Sequence, residues 1–330
     1  MRALVICTGG GIGDVLLATP CMRALRSRFS DVVALTTPEH RDILLGNPSL
    51  TRVIDDRGHF FDVGETLRRE RFDAAVVTWA TLRSTLLPLQ AGIPVRGGQA
   101  RRWYSFLFTQ RVTVRSELGD HDTHWTQVLL DYARALDCDT DDPMPTFAAS
   151  SRGRGTAATL LRAAGVDGRY AVLHPTRGIA AARTRWPTAR LGELGRALRE
   201  TFDLPIVVSG TEGDRSIADA VAQQAGGISL AGRTSVAELG GLLSDAAFVV
   251  AMDSGPMHLA AAVGTPTVGI FALQSDEPRR WAPLGPHVAV VRGTYPCPPS
   301  HRKETCPDFA CIRDLPIAPV LSAVQGLLRQ

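Results

Sequence analysis

Residues 248–271 read FVVAMDSGPMHLAAAVGTPTVGIF, and this stretch decides the fold class. The apolar run at 248–252 has the length of a buried strand, 256–263 has helical character, and the apolar run at 267–271 returns to strand. Between the first strand and the helix stands the small-residue loop DSGPMH, 253–258, with Pro256 suited to an early helical position. Strand, loop, helix and strand in that order build a parallel sheet, whose members are covered on both faces and therefore read as unbroken apolar runs.

The same alternation extends outward on both sides. Strands are expected at 170–173, 206–209 and 229–230, with helices at 188–201, 212–225 and 235–243. Nearer the start, a strand at 3–7 runs into the glycine loop GGGIGD, 9–14. A helix over 15–29 then carries Leu16, Leu17, Met22, Leu25 and Phe29 at helical spacing. Strands at 32–36, 51–54 and 72–78 and a helix at 82–91 complete a first series. The class is α/β, with two Rossmann-like parallel-sheet domains facing across a cleft.

The domains are read as 1–165 and 166–314. A final segment, 315–330, follows, its helix carrying Val320, Leu321, Val324, Leu327 and Leu328 on one face and packing toward the N-terminal domain. Three stretches break the rhythm: 96–108 is rich in glycine, arginine and aromatic residues, 137–145 is acidic and carries prolines, and 150–155 reads as a loop before a helix at 156–164.

A chain of 330 residues is long enough for two cores of this size. Hydrophobic residues make up 45% and charged residues 21%, with no tract apolar enough to span a bilayer and no cleavable leader at the start. The expectation is a cytoplasmic protein without a transmembrane segment. A net charge of +3 with no basic stripe interleaved with aromatic residues excludes nucleic acid as a partner. Six cysteines in a chain this long do not make a disulfide framework. Cys297, Cys306 and Cys311 cluster late, but three ligands of uneven spacing are weak evidence for zinc, and no metal is expected.

Each small-residue loop carries candidate chemistry. Asp14 sits where a helix begins, and the helix field favours its anion, lowering its pKa and suiting it to act as a base. The other reading is a helix cap. Gly11 and Gly13 let a ligand approach the backbone closely. In the second loop the amides of Gly255, Met257 and His258 stand at a helix start after Pro256, where an anion such as a diphosphate binds. Ser254 offers a hydroxyl and His258 a ring N–H. His174-Pro175-Thr176 ends a neighbouring strand, and ligands of open parallel sheets bind beyond such ends. Thr176, Arg183 and Arg185 are accordingly phosphate candidates. Gly210, Glu212 and Asp253 are assigned to a nucleoside, with Asp214 the alternative to Glu212 for the ribose. Arg101, Trp103, Tyr104 and His124 are assigned with Gly11 and Gly13 to an acceptor, although core packing accounts for the aromatic residues equally well.

In order, the chain shows GIGD at 11–14 with LLATP at 16–20, HP at 174–175, RWP at 185–187 and SGTE at 209–212. LAGRTSVAELGGLLSDAAFVVAMDSGPMHLAAAVGTPTVGIF at 230–271 and CIRDL at 311–315 follow. This succession resembles the ADP-heptose:lipopolysaccharide heptosyltransferases, glycosyltransferase family 9. The resemblance implies the GT-B fold, with the nucleotide-sugar site mainly in the second domain and the acceptor site mainly in the first. It also implies inverting, metal-independent transfer of heptose from ADP-heptose, with Asp14 as general base and 254–258 holding the donor diphosphate. No cofactor beyond that co-substrate is implied.

The chain departs from the family pattern at Thr184, where relatives usually carry a lysine two residues before Trp-Pro. Arg183 and Arg185 flank it, and either is a candidate for the missing cation. Ser300 stands where a second cysteine would complete a CxxC pair with Cys297. The acceptor is a saccharide or a small molecule, with an aminoglycoside or nucleoside antibiotic suited to the arginine- and alanine-biased composition. A lipid-linked saccharide would bring peripheral membrane association. The rival readings are a nucleotide-sugar epimerase and a non-catalytic nucleotide-sugar-binding protein.

Overall fold

The computed structural model describes residues 1–177, 186–272, 277–293, 295–296, 298, 306 and 308–329. The chain separates into two compact units, Met1–Ala148 and Ala149–Gln330. The first holds β1 (Arg2–Cys7), β2 (Asp31–Thr36), β3 (Arg52–Asp55), β4 (Ala74–Val77), β5 (Val95–Gln99) and β6 (Gln110–Val112). Their order across the sheet is β3-β2-β1-β4-β5-β6, and every neighbouring pair is parallel. β1 is central because it is apolar on both faces: Ala3 to Cys7 are all buried, with Leu4 opposite Val33 on one side and Ala75 on the other. Each such fully buried Val, Leu or Ile contributes about 1.5–3 kcal/mol.

The second unit holds β7 (Ala171–His174), β8 (Ile206–Val208), β9 (Ile228–Ser229), β10 (Val249–Met252), β11 (Thr267–Phe271) and β12 (Val288–Arg292). The order is β12-β11-β10-β7-β8-β9, again parallel throughout. Among the described residues no helix is long and apolar enough to cross a membrane.

Three expectations need correction. The helix expected over 15–29 is two helices, Ile12–Leu17 and Thr19–Leu25. Pro20 has no N–H to give the Leu16 carbonyl, and the Thr19 hydroxyl donates to that carbonyl instead, at 2.7 Å. The stretch 96–108 contains most of a strand, β5, that the pattern hid behind glycines. A β-carbon on Gly97 would stand 2.9 Å from Leu136 and one on Gly98 would stand 2.5 Å from the Phe108 ring, so neighbours supply the side chains that this strand lacks.

The boundary falls before 151–163, not near 165. Ser150 accepts the Gly153 amide proton at 3.0 Å and caps a helix, Ser151–Ala163, through residues that read as a loop. That helix packs on Val236–Ser244. Gly153 and Gly241 meet at the crossing, where a β-carbon on Gly241 would come within 2.6 Å of the Arg154 amide. The last helix, Ala318–Leu328, packs on β11 and β12 of its own unit. Its Val320, Val324 and Leu327 belong to the second core with Val268, Ile270 and Val291.

Candidate active site

In the first unit β1 is flanked by β2 and β4, so chain connections leave it toward opposite faces and a crevice opens beyond its carboxyl end. Asp14 stands there on the first turn of Ile12–Leu17, and its Oδ2 accepts the Gly11 amide proton at 2.8 Å. Gly10 makes this possible. It adopts φ +76°, and a β-carbon on it would stand 2.7 Å from the Asp14 carboxyl carbon. Burial raises the Asp14 pKa above the ordinary carboxylate value, outweighing the Gly11 hydrogen bond and the charge of His40, both of which lower it. The helix field was expected to depress this pKa, but loss of solvent is the stronger effect.

Two residues of this crevice carry no sequence signal. Trp79, past the end of β4, lies against Gly9, where a β-carbon would overlap its indole. His40 ends the short turn Pro38–His40 after β2 and interacts electrostatically with Asp14. Burial lowers its pKa, and its Nδ1 is buried without a hydrogen-bond partner among the described residues.

The aromatic stretch divides. Trp103 and Phe106 are 76% and 65% exposed, beside exposed Arg101 and Arg102, whereas Phe108 is buried. Tyr104 is also buried, and its hydroxyl donates to the Ala80 carbonyl at 2.9 Å. It anchors the 103–107 turn, so its proton is not offered to an acceptor. His124 caps Trp125–Arg134, its Nδ1 accepting the Thr126 amide proton at 3.2 Å. Gly11 precedes the Asp14 helix and Gly13 lies within it.

In the second unit β7 takes the position of β1, between β8 and β10. Three strand ends converge on its crevice: His174-Pro175-Thr176-Arg177, Ser209-Gly210-Thr211-Glu212, and Asp253 with the helix Gly255–Ala262. Arg177, whose side chain is 3% exposed, pairs with Asp253 at 3.4 Å. It brings a buried positive charge to the crevice. Arg183, Arg185 and Thr184 lie outside the described residues, as do Cys297 and Ser300.

Three assignments in the DSGPMH loop change. Ser254 has an extended backbone that brings its hydroxyl back onto the strand, where it donates to the Met252 carbonyl at 2.8 Å. The Met257 amide donates to the Ser254 carbonyl at 3.2 Å, and its side chain lies against Gly269 of β11. Pro256 has no amide proton. Gly255 supplies a first-turn amide for which no backbone carbonyl is the partner among the described residues. His258 is buried beside it on the same turn.

On the β8 side Gly210 is hemmed in, its β-carbon position 3.1 Å from Asp214 and 3.3 Å from Ala231. Asp214 is consumed locally: its Oδ2 accepts the Thr211 amide at 3.1 Å and hydroxyl at 2.6 Å. Glu212 is exposed and pairs with Arg215, so of these two carboxylates it is the one presented to solvent.

Residues 60–308 match the family described as "Glycosyltransferase family 9 (heptosyltransferase)". Lipopolysaccharide heptosyltransferase 3 of Escherichia coli is 25% identical over 339 residues, covering 96% of each chain. Among solved structures, ADP-heptose LPS heptosyltransferase II of E. coli superposes with a TM-score of 0.81 at 22% identity, covering 100% of this chain and 99% of that one. E. coli heptosyltransferase WaaC with ADP-2-deoxy-2-fluoro heptose gives a TM-score of 0.71 at 18% identity, with 99% of each chain covered. The likeness to these structures is of GT-B fold.

Proposed function

We propose, for a chain that belongs to glycosyltransferase family 9, the heptosyltransferases, and is therefore a glycosyltransferase, inverting and metal-independent transfer of heptose from ADP-heptose to an acceptor hydroxyl. Family membership sets aside the epimerase and binding-only readings. The donor class comes from the E. coli relatives, whose names specify ADP-heptose and a fluorinated analogue of it.

One observation carries the mechanism. Asp14 is held by Gly11 at the end of β1, in surroundings that leave its carboxylate incompletely solvated and hence more basic than usual. It accepts the proton of the acceptor hydroxyl as that oxygen forms a bond to the anomeric carbon and the bond to the diphosphate breaks. A single displacement of this kind inverts the anomeric centre. The departing diphosphate gains charge, and the Gly255 amide, His258, Thr176 and Arg177 are the groups assigned to receive it. Glu212 is assigned to the ribose.

The acceptor is a saccharide or a small molecule, and the reaction is placed in the cytoplasm. The exposed Trp103 and Phe106 beside Arg101 and Arg102 favour an acceptor with flat or apolar faces and negative charge. Incubation with ADP-heptose and a panel of phosphorylated saccharides and nucleosides, with aminoglycosides as the cationic contrast, read by mass spectrometry, tests the reaction. A product heavier by one heptose residue, formed about a hundredfold or more slowly by Asp14→Asn, is the expected result. Transfer retained at the wild-type rate by Asp14→Asn would remove the base assignment.

A further inference from the structure

We propose that His174 is a positioning residue, the middle of a one-way hydrogen-bond chain from Ser209 to Thr176 that fixes the Thr176 hydroxyl as a donor to a phosphoryl oxygen. The inference rests on reading this crevice as the donor-diphosphate site.

Parallel pairing of β7 with β8 brings the three residues together. Leu173 lies opposite Val208, and the Ser209 amide donates to the Leu173 carbonyl at 3.1 Å, so Ser209 and His174 are neighbours at the carboxyl edge. His174 Nδ1 is 3.0 Å from Ser209 Oγ, and Nε2 is 3.2 Å from Thr176 Oγ1. Ser209 is fully buried, while His174 and Thr176 are 5% and 4% exposed.

The direction of the chain follows from counting protons. A neutral imidazole has one N–H and one lone pair, so it donates through one nitrogen and accepts through the other. The buried Ser209 hydroxyl must place its proton, and among the described residues the imidazole is its hydrogen-bond partner. Ser209 therefore donates to Nδ1, the ring proton is on Nε2, and Nε2–H donates to Thr176 Oγ1. The Thr176 proton then has no acceptor among the described residues and is available to a ligand. A phosphoryl oxygen, which only accepts, is the complement to such a donor.

Burial holds the ring neutral, pushing its pKa down to about 4. A protonated ring would donate at both nitrogens and leave the Ser209 proton without an acceptor. The chain thus keeps one polarity across the neutral range.

Calorimetric titration of the whole protein with ADP, and in parallel with UDP and GDP, tests the proposal in wild type, Thr176→Val, Ser209→Ala and the double variant. The expected result is a loss of about tenfold in nucleoside diphosphate affinity for Thr176→Val. Ser209→Ala should lose severalfold, and the double variant should be no weaker than Thr176→Val alone, because both substitutions remove the same contact. Binding of the unphosphorylated nucleoside should be unchanged by Ser209→Ala. Ser209→Ala with full affinity alongside a weakened Thr176→Val, or losses that multiply in the double variant, would overturn the chain while leaving the diphosphate site standing. Wild type that binds none of the three nucleotides would overturn the site reading and the chain with it. Nitrogen-15 spectra of the wild-type protein give an answer independent of any variant: an Nε2–H tautomer at pH 6 to 8 is expected, and an Nδ1–H tautomer would overturn the chain.

Discussion

The indole of Trp79 occupies the space that a side chain on Gly9 would need, so a residue past β4 forms one wall of the loop that presents Asp14. Gly9→Ala should displace the ring at a cost of about 1–3 kcal/mol. Acceptor KM should rise about tenfold or more, with nucleotide affinity unchanged. Steady-state kinetics with each substrate varied in turn would show this, and wild-type acceptor KM would mean that Trp79 does not border the acceptor.

Asp14→Asn should cut kcat by about 10²–10⁴-fold, the range for loss of a general base. Stability should move the other way. The folded-state pKa of Asp14 is raised, so ionising it disfavours the fold, and that penalty grows as pH rises from the unfolded value through the folded one. The variant should therefore melt roughly 1–3 °C higher than wild type at pH 7 and alike at pH 3. Thermal melts at the two pH values decide it.

The acid limb of kcat/KM against pH should report Asp14 and lie above the ordinary carboxylate range, because burial is the main cause of its shift. The charge of His40 opposes that shift. His40→Gln should move the limb to higher pH, and a limb displaced downward would contradict the pairing.

Arg177→Ala removes one ion-pair partner of Asp253 inside the second crevice. Nucleotide affinity should fall about tenfold, with a stability loss of about 1–3 kcal/mol from the buried ion pair and the packing of the Arg177 side chain. Arg177→Lys should restore stability better than affinity, since an ammonium keeps the charge but loses the fork. Melting with and without nucleotide separates the two effects.

Gly153→Leu should destabilise the protein by about 1–3 kcal/mol or more, because its β-carbon would overlap the Ala237 carbonyl in the helix that it crosses. A wild-type melting temperature would argue that Ser151–Ala163 does not pack there.

Most strands and both small-residue loops were legible because apolar runs of strand length ending in small residues have few other uses in a chain of this kind. Asp14, Thr176, Gly255 and His258 follow from that pattern alone, being fixed by where strands end and helices begin. β5 was not legible, since its interior is filled by Leu136 and Phe108 arriving from elsewhere, and local patterning sees only Gly97 and Gly98. The same holds for Gly153, which reads as loop by itself and as a helix contact only once Gly241 is opposite it. Trp79 and His40 were missed because they reach the Asp14 loop through sheet order, β4 and β2 lying on either side of β1. Ser254, Met257 and Tyr104 were overread: each has a suitable group, but neighbouring backbone carbonyls claim it first.

Counted in chain order, the two sheets repeat one arrangement of strands, and each belongs to its own folding unit. On the proposed assignment of the acceptor to the first unit and the activated sugar to the second, selection on the acceptor can proceed by side-chain exchange around Trp79 and Trp103 without loosening the hold on a shared currency. An enzyme organised in this way can diversify its products while every descendant draws on the same activated sugar pool.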